Sequence, residues 1–541
     1  MAPVRMGLMA RRPWLGLPAS LLNREHRVGL VLSGGGSKAS FQIGALRYLY
    51  ERAGIEPTVL VGTSAGSIIT ALLAQSADPA EQARSVRELE RLWLEMERQS
   101  DMFTEREWFR RFRARGPELV ALVQREPMTR IGRRAAAGTL PRLQLPFTKG
   151  FTIDPSDRPQ EPSAHRRPDV PHPRSTAPAP AAGEPTVEQP EQADEEDPPT
   201  LPTGQQATLH IATQDPAISP GELSPTHVIS ILAGLSRMRG VGHDLGMILA
   251  GAEKTRSMYI PGPILRELLG SGIFDSARVA NSGMTVRIAL TALESGELRY
   301  MRQDGYLVDR DDEPLGGDCH DFSRGVLASC SIPAVFVPVP LDQETYVDGG
   351  VRENLPAEMA IGHLGCTTTW VVTSNAPGTR AHESYANKDM VSVMMRATEI
   401  MSDETERDEV AYARSAGARV IEPETDIHDA LTIEPGLIRI NMAYGWLRAA
   451  ECHLDCGPEE SELVRQVIEL RRTAWELEGR YLDPEVAHDE RDVVRLARAK
   501  YQLNEMVGRI RPAIAPDGCH DWWLNWERQG VGPEVEPPWL A

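Results

Sequence analysis

Cysteine is scarce in this chain, with six among 541 residues (Cys319, Cys330, Cys366, Cys452, Cys456 and Cys519). Three of them directly precede a histidine, in Cys319-His320, Cys452-His453 and Cys519-His520. None forms the paired Cys-x-x-Cys spacing of a zinc site, so no metal is expected. Irregular, sparse thiols suit the reduced state of a cytoplasmic protein. Positive charge is also short: 58 Lys and Arg face 77 Asp and Glu, a net −19. That balance excludes a general nucleic-acid binder, which needs a cationic surplus for phosphates, and gives no bulk attraction to an anionic membrane. Long apolar runs are missing too, and nothing approaches the ~18 residues of a spanning helix. Near the N-terminus, Arg11, Arg12 and Pro13 interrupt the apolar pieces, so the ~7–15-residue core of a secretory signal is absent. Residues 1–26 are expected to form an N-terminal tail.

The apolar and charged fractions, 41% and 25%, suit a globular protein of two to four ordinary domains or one large domain with insertions. One stretch departs from this composition. Asp154–Pro202 holds thirteen of the 42 prolines, no aromatic residue, and the acidic run Asp194-Glu195-Glu196-Asp197. It cannot bury enough apolar area to offset its ordering entropy, so residues 154–204 are expected to be a disordered linker. It lies inside an insertion at about 100–260.

The chain is organised around Val59-Leu60-Val61-Gly62-Thr63-Ser64-Ala65-Gly66. A short apolar strand runs into Gly-x-Ser-x-Gly, and an apolar helix follows over 67–74. Such a strand-to-helix corner strains its central residue, and Gly62 and Gly66 relieve the crowding on either side. Ser64 would stand exposed at the strand's carboxyl end, a position suited to a nucleophile. Taken alone, the pattern also fits an ordinary Gly/Ser turn.

An earlier strand, Val28–Leu32, leads directly into Ser33-Gly34-Gly35-Gly36-Ser37-Lys38 and then a helix. Strand, glycine-rich turn and helix together cradle an anion, because backbone N–H groups converge with the helix dipole. The spacing is wrong for a P-loop. With Ala39 it meets only the degenerate form of a dinucleotide fingerprint. An oxyanion hole for Ser64 is the more economical reading, since both turns lie at strand carboxyl ends.

From 285 onward the α/β rhythm resumes. Strands are expected at Thr285–Thr291, Leu298–Arg302, Thr345–Val347, Thr368–Thr373 and Arg419–Ile421. An extended segment is expected over Ile332–Val339. Helices are expected at Phe322–Ser329, Met390–Met401, Glu404–Ala416, Glu459–Leu482 and Asp489–Ile510. This alternation argues a mainly parallel sheet covered by helices, with a mostly helical region over 423–541.

Serine needs a base. The histidines are scattered, with His363 on a helix and His428 in a loop-like stretch, and none sits in a clear strand-to-turn context. Tyr346-Val347-Asp348-Gly349-Gly350 does place an acid at a strand end, followed by two glycines that allow close backbone approach. An Asp-Gly hairpin turn explains the same residues.

Taken in order, Gly34-Gly35-Gly36-Ser37-Lys38, Gly62-Thr63-Ser64-Ala65-Gly66 and Asp348-Gly349-Gly350 resemble the patatin-like phospholipase family. The run Ala328-Ser329-Cys330-Ser331-Ile332-Pro333-Ala334-Val335-Phe336-Val337-Pro338-Val339 is similar to the stretch before that family's Asp. The resemblance covers about 28–75 and 261–375, with a weaker echo to 422, and departs at Ala39, where the family usually has glycine.

It implies a three-layer α/β hydrolase domain over 27–422, with a mainly parallel sheet. It also implies a Ser64–Asp348 dyad without histidine. Ser64 attacks an ester carbonyl, Asp348 is the general base, and the N–H groups of Gly34, Gly35, Gly36 and Ala65 hold the oxyanion. Lys38 adds positive charge near the anion, while Gly62, Gly66, Gly349 and Gly350 support the turns. The implied substrate is a phospholipid or related acyl lipid, met through transient contact with a membrane surface, with no metal or organic cofactor. Acyl transfer to an alcohol, a catalytically silent lipid-binding scaffold, and nucleotide binding at the Gly34–Lys38 turn are the alternatives.

Overall fold

The computed structural model describes residues 27–111, 114, 257–268, 273–378, 384–386, 390–485, 490–528, 530–531 and 535–540. The chain divides into two units, residues 1–116 with 247–541 and residues 117–246, and every described residue belongs to the first. The expected tail and acidic linker lie outside the described residues, as does most of the insertion.

Strands β1 (Val28–Leu32), β2 (Val59–Gly62), β3 (Phe103–Glu105), β4 (Tyr259–Pro261), β5 (Thr285–Ala292), β6 (Leu298–Arg302), β7 (Leu307–Val308), β8 (Val339–Leu341), β9 (Glu344–Asp348), β10 (Thr368–Val372) and β11 (Arg419–Ile421) build two sheets. β3 and β4 form a small antiparallel pair. Phe103 therefore starts a strand. In the main sheet the order is β11-β10-β1-β2-β5-β6-β7, and the pairs from β11 to β5 are parallel. β6 and β9 run antiparallel to β5.

The parallel strands are apolar along their whole length because both faces are covered. Leu30, Leu32 and Leu60 face one core, shared with α1 (Ser40–Tyr48), α2 (Ala65–Leu73) and α3 (Pro79–Leu94). Val31, Val59 and Val61 face the other, against Met359, Val410 and Ala413. The result is the expected three-layer α/β arrangement with a mainly parallel sheet.

Two expected elements change. The segment Ile332–Val339 is a turn: Val335 N–H and Phe336 N–H both donate to Ile332 C=O, at 3.0 Å each. Ala334 there adopts φ 66°, and only the last residue enters β8. The helices read at 390–401 and 404–416 are one helix, Met390–Ser415.

Beyond 422, helices Pro435–His453, Pro458–Leu482 and Glu490–Arg509 follow. The first crosses α1 at backbone contact. A Cβ on Gly44 would sit 1.9 Å from Met442 C=O, and one on Gly445 would sit 1.9 Å from Phe41 C=O. That helix thus completes the core on which the first glycine turn is mounted. Among the described residues, no helix is long and apolar enough to cross a membrane.

Candidate active site

One edge of β5 brings the two candidate motifs together. β2 pairs with its first half and ends at Gly62↔Ile288. The antiparallel β9 pairs with its second half and ends at Leu290↔Asp348. Since β6 spans the other edge, β2 and β9 run toward one another along the same side, and their carboxyl ends face across a short gap. Ser64 and Asp348, distant in sequence, meet in that gap.

Ser64 caps α2 with φ 52° and ψ −125°. For a residue bearing a side chain this is a strained conformation of a kind concentrated at functional sites. It persists because its surroundings leave no alternative. A Cβ on Gly66 would lie 2.6 Å from both Leu32 C=O and Ser33 C=O, so the helix start is pressed onto the end of β1. Ser64 N–H donates to Ser329 Oγ at 2.9 Å. Its carbonyl accepts from Ser67 Oγ at 2.6 Å and from Cys330 Sγ at 3.3 Å.

Asp348 is 5% exposed. Its Oδ1 accepts Gly350 N–H at 2.8 Å, and the Ser64 side chain lies close enough to favour its charged form. Burial pushes its pKa up to about 6, with the Ser64 side chain and Gly350 N–H opposing the rise. The residues after it do not form a two-residue hairpin, since Gly349–Val351 is a 3-10 turn. A Cβ on Gly349 would lie 2.6 Å from Ala289 C=O, so this glycine permits the close backbone approach anticipated for it. Gly350 approaches Asn354 similarly, with a hypothetical Cβ 2.9 Å from Asn354 Oδ1.

Ser329, Cys330 and Ser331 link the two motifs, a role that sequence reasoning missed. Ser329 and Cys330 hold Ser64, while Ser331 C=O accepts Asp348 N–H at 3.1 Å. The only signal in the sequence was the similarity of this run to the family's stretch before its Asp. Burial, reinforced by the neighbouring Asp348 charge, lifts the Cys330 thiol to about 12, so it stays a neutral donor.

The glycine turn lies beside Ser64: a Cβ on Gly34 would be 3.0 Å from Ser64 Cβ. Among the described residues, the N–H groups of Gly35, Gly36 and Ala65 have no acceptor within the chain. Gly34 differs from its expected role, because its N–H already donates to Asn354 C=O at 3.2 Å. Gly36 has φ 57° and a neighbour, Ala430 C=O, only 2.4 Å from a hypothetical Cβ. Ala39 replaces the family's usual glycine without strain, at φ −58°.

Lys38 has a partner outside the turn. Its ammonium pairs with Asp426 Oδ1 at 3.3 Å, and the same oxygen accepts Ala376 N–H. Its charge is therefore offset, and it ties the turn to the loop after β11. His428 lies near the turn, 3.5 Å from Ser37 Oγ, and burial lowers its pKa. Among the described residues no histidine bonds to Ser64 or Asp348, and no cluster of side chains is arranged to hold a metal.

Comparison with curated proteins finds no match. Among solved structures, the crystal structure of VipD from Legionella pneumophila shares 14% identity, covering 94% of this chain and 93% of that one, at a TM-score of 0.25. That likeness carries no argument about this chain. The patatin-like phospholipase family matches residues 30–196 and 262–361, which include both glycine turns, Ser64 and Asp348. The chain belongs to the patatin-like phospholipase family.

Proposed function

We propose that the protein is a serine lipid acyl hydrolase that cleaves carboxylic esters of phospholipids or related acyl lipids, with Ser64 as nucleophile and Asp348 as base. The observation that carries this reading is that β5 brings the end of β2, before Ser64, up to Asp348, a buried carboxylate whose pKa is raised to about 6. Such a group is ionised at neutral pH yet more basic than an ordinary aspartate, which suits a general base.

In the first step Asp348 takes the Ser64 hydroxyl proton as Oγ bonds to the ester carbonyl carbon. The resulting oxyanion accepts from Gly35, Gly36 and Ala65 N–H groups. Such donors stabilise the transition state because they are fixed before charge develops. The tetrahedral species collapses by breaking the bond to the alcohol oxygen, and Asp348 returns its proton to that oxygen. Water, deprotonated by Asp348, then attacks the acyl carbon; the second tetrahedral species breaks its bond to Ser64 Oγ, which takes the proton back from Asp348, releasing a fatty acid and free Ser64. The substrate lies in a bilayer or micelle, so membrane contact is peripheral.

The test is hydrolysis of p-nitrophenyl esters and phospholipid vesicles by wild type, Ser64→Ala and Asp348→Asn, with fluorophosphonate labelling. Loss of hydrolysis in both folded variants, with labelling dependent on Ser64, supports the dyad. Hydrolysis that survives Ser64→Ala rules it out. Acyl transfer to an added alcohol in preference to water would identify the protein as a transferase using the same residues.

A further inference from the structure

The peptide between Gly34 and Gly35 is held from outside the catalytic motifs. Its carbonyl, on Gly34, accepts from Asn375 Nδ2 at 3.3 Å, Ser374 Oγ at 3.4 Å and Ser33 Oγ at 2.9 Å. The preceding peptide is fixed by the bond from Gly34 N–H to Asn354 C=O. Both asparagines converge on a single buried atom. Glu406 Oε2 accepts Asn375 Nδ2 at 2.6 Å and Asn354 Nδ2 at 2.7 Å. Thr373 Oγ1 donates to the other oxygen, Oε1. Glu406 is 5% exposed and sits on the Met390–Ser415 helix, outside all three catalytic motifs.

A carboxylate is costly to bury unless its oxygens are hydrogen-bonded, and these three donors meet that need. The peptide is trans, so its C=O and N–H point in opposite directions. Anchoring the Gly34 carbonyl on the Asn375 side therefore fixes the direction of Gly35 N–H. That N–H has no acceptor of its own among the described residues.

We propose that Glu406 is a positioning residue which, through Asn375 and Asn354, clamps the Gly34–Gly35 peptide and so aims Gly35 N–H at the developing oxyanion. This rests on the hydrolase reading above. With the clamp loosened, the peptide rotates, the donor leaves its position, and the substrate still binds. The loss falls on the chemical step. Gln at 406 preserves the clamp, since its carbonyl oxygen can receive both asparagines while its amide turns to Thr373 Oγ1. Ala at 406 does not.

The full-length protein is assayed with a p-nitrophenyl ester and the matching thiono ester, whose sulfur accepts weaker hydrogen bonds and so depends less on the hole. Losing one hole donor outright typically costs about 10²–10³ in turnover, so Asn375→Ala and Glu406→Ala should lower kcat for the oxygen ester by about tenfold or more. KM should stay within about twofold, and the oxygen-to-thiono rate ratio should fall in parallel. Glu406→Gln should retain most of the activity and the ratio. Val410→Ala, which opens a cavity in the neighbouring core, serves as the control for general destabilisation and should leave the ratio unchanged. Should Asn375→Ala fail to fold, Asn375→Ser carries the same test.

An unchanged ratio in folded Asn375→Ala, or a ratio that falls equally in Val410→Ala, overturns the proposal. Ser64→Ala is run alongside to separate the two levels. Hydrolysis surviving in that variant sinks the dyad and the clamp together. Hydrolysis lost there, with an unchanged ratio in Asn375→Ala, removes the clamp alone.

Discussion

Replacing Asp348 with asparagine should stabilise the folded protein at alkaline pH while it removes hydrolysis. Burial raises the carboxyl from 3.8 to about 6, so ionising it costs more in the folded chain than in the unfolded one. At about 1.4 kcal/mol per tenfold, the difference reaches about 3 kcal/mol once both states are ionised. Between 3.8 and about 6 the folded chain holds this proton more tightly than the unfolded chain does. Stability from this group is therefore complete below the lower value, declines as pH rises through the window, and is lost above it. Asparagine has no such window. Its oxygen can accept Gly350 N–H, and its amide can donate to Ser64 Oγ. Urea unfolding of wild type and Asp348→Asn measures the effect. The two should differ little near pH 4, and the variant should be more stable by up to about 3 kcal/mol near pH 8. A variant less stable near pH 8, or a difference independent of pH, would refute the reasoning.

Other outcomes follow from the same contacts. For wild type, kcat/KM should rise with pH through about 6 and then level, because Asp348 acts only when deprotonated, and a pH–rate profile reads this directly. Gly66→Ala should destabilise by about 1–3 kcal/mol in thermal unfolding, since its Cβ would press on two backbone carbonyls that cannot retreat. Lys500 and Glu478 form a fully buried pair at 2.7 Å. Lys500→Ala leaves that carboxylate unpaired and should cost about 3–5 kcal/mol, without changing turnover per folded molecule. Cys330, buried and lifted to about 12, should resist iodoacetamide in the native protein and react only after unfolding, as peptide mapping would show.

The parts of the site written in short-range signals were legible in the sequence. Gly62, Gly66, Gly349 and Gly350 mark places where a side chain has no room, and the turns containing them could be found from their order. The shared edge of β5 was not legible, because no local pattern says that β2 and β9 meet end to end. Nor was the support from Ser329, Asn354, Asn375 and Glu406, whose bonds join residues far apart in sequence. Asn354 and Glu406, for example, are 52 positions apart.

Helix Pro435–His453 escaped a firm reading for another reason. It is buried on nearly every side, packed against both α1 and Pro458–Leu482, so it shows no single apolar stripe. The break expected between 401 and 404 is absent because Asp403 does not end the helix. Its side chain accepts Gly378 N–H at 3.1 Å. Gly34 and Lys38 were assigned by motif alone, and the structure shows each already committed to a partner, Asn354 and Asp426 respectively.

The most direct test of the dyad is the rate at which a fluorophosphonate modifies Ser64, followed by mass spectrometry across pH in wild type and Asp348→Asn. The account predicts a single adduct on Ser64, forming faster as pH rises through about 6 in wild type and slowly at every pH in the variant. An adduct on another residue, or equal rates in the two proteins, would contradict it.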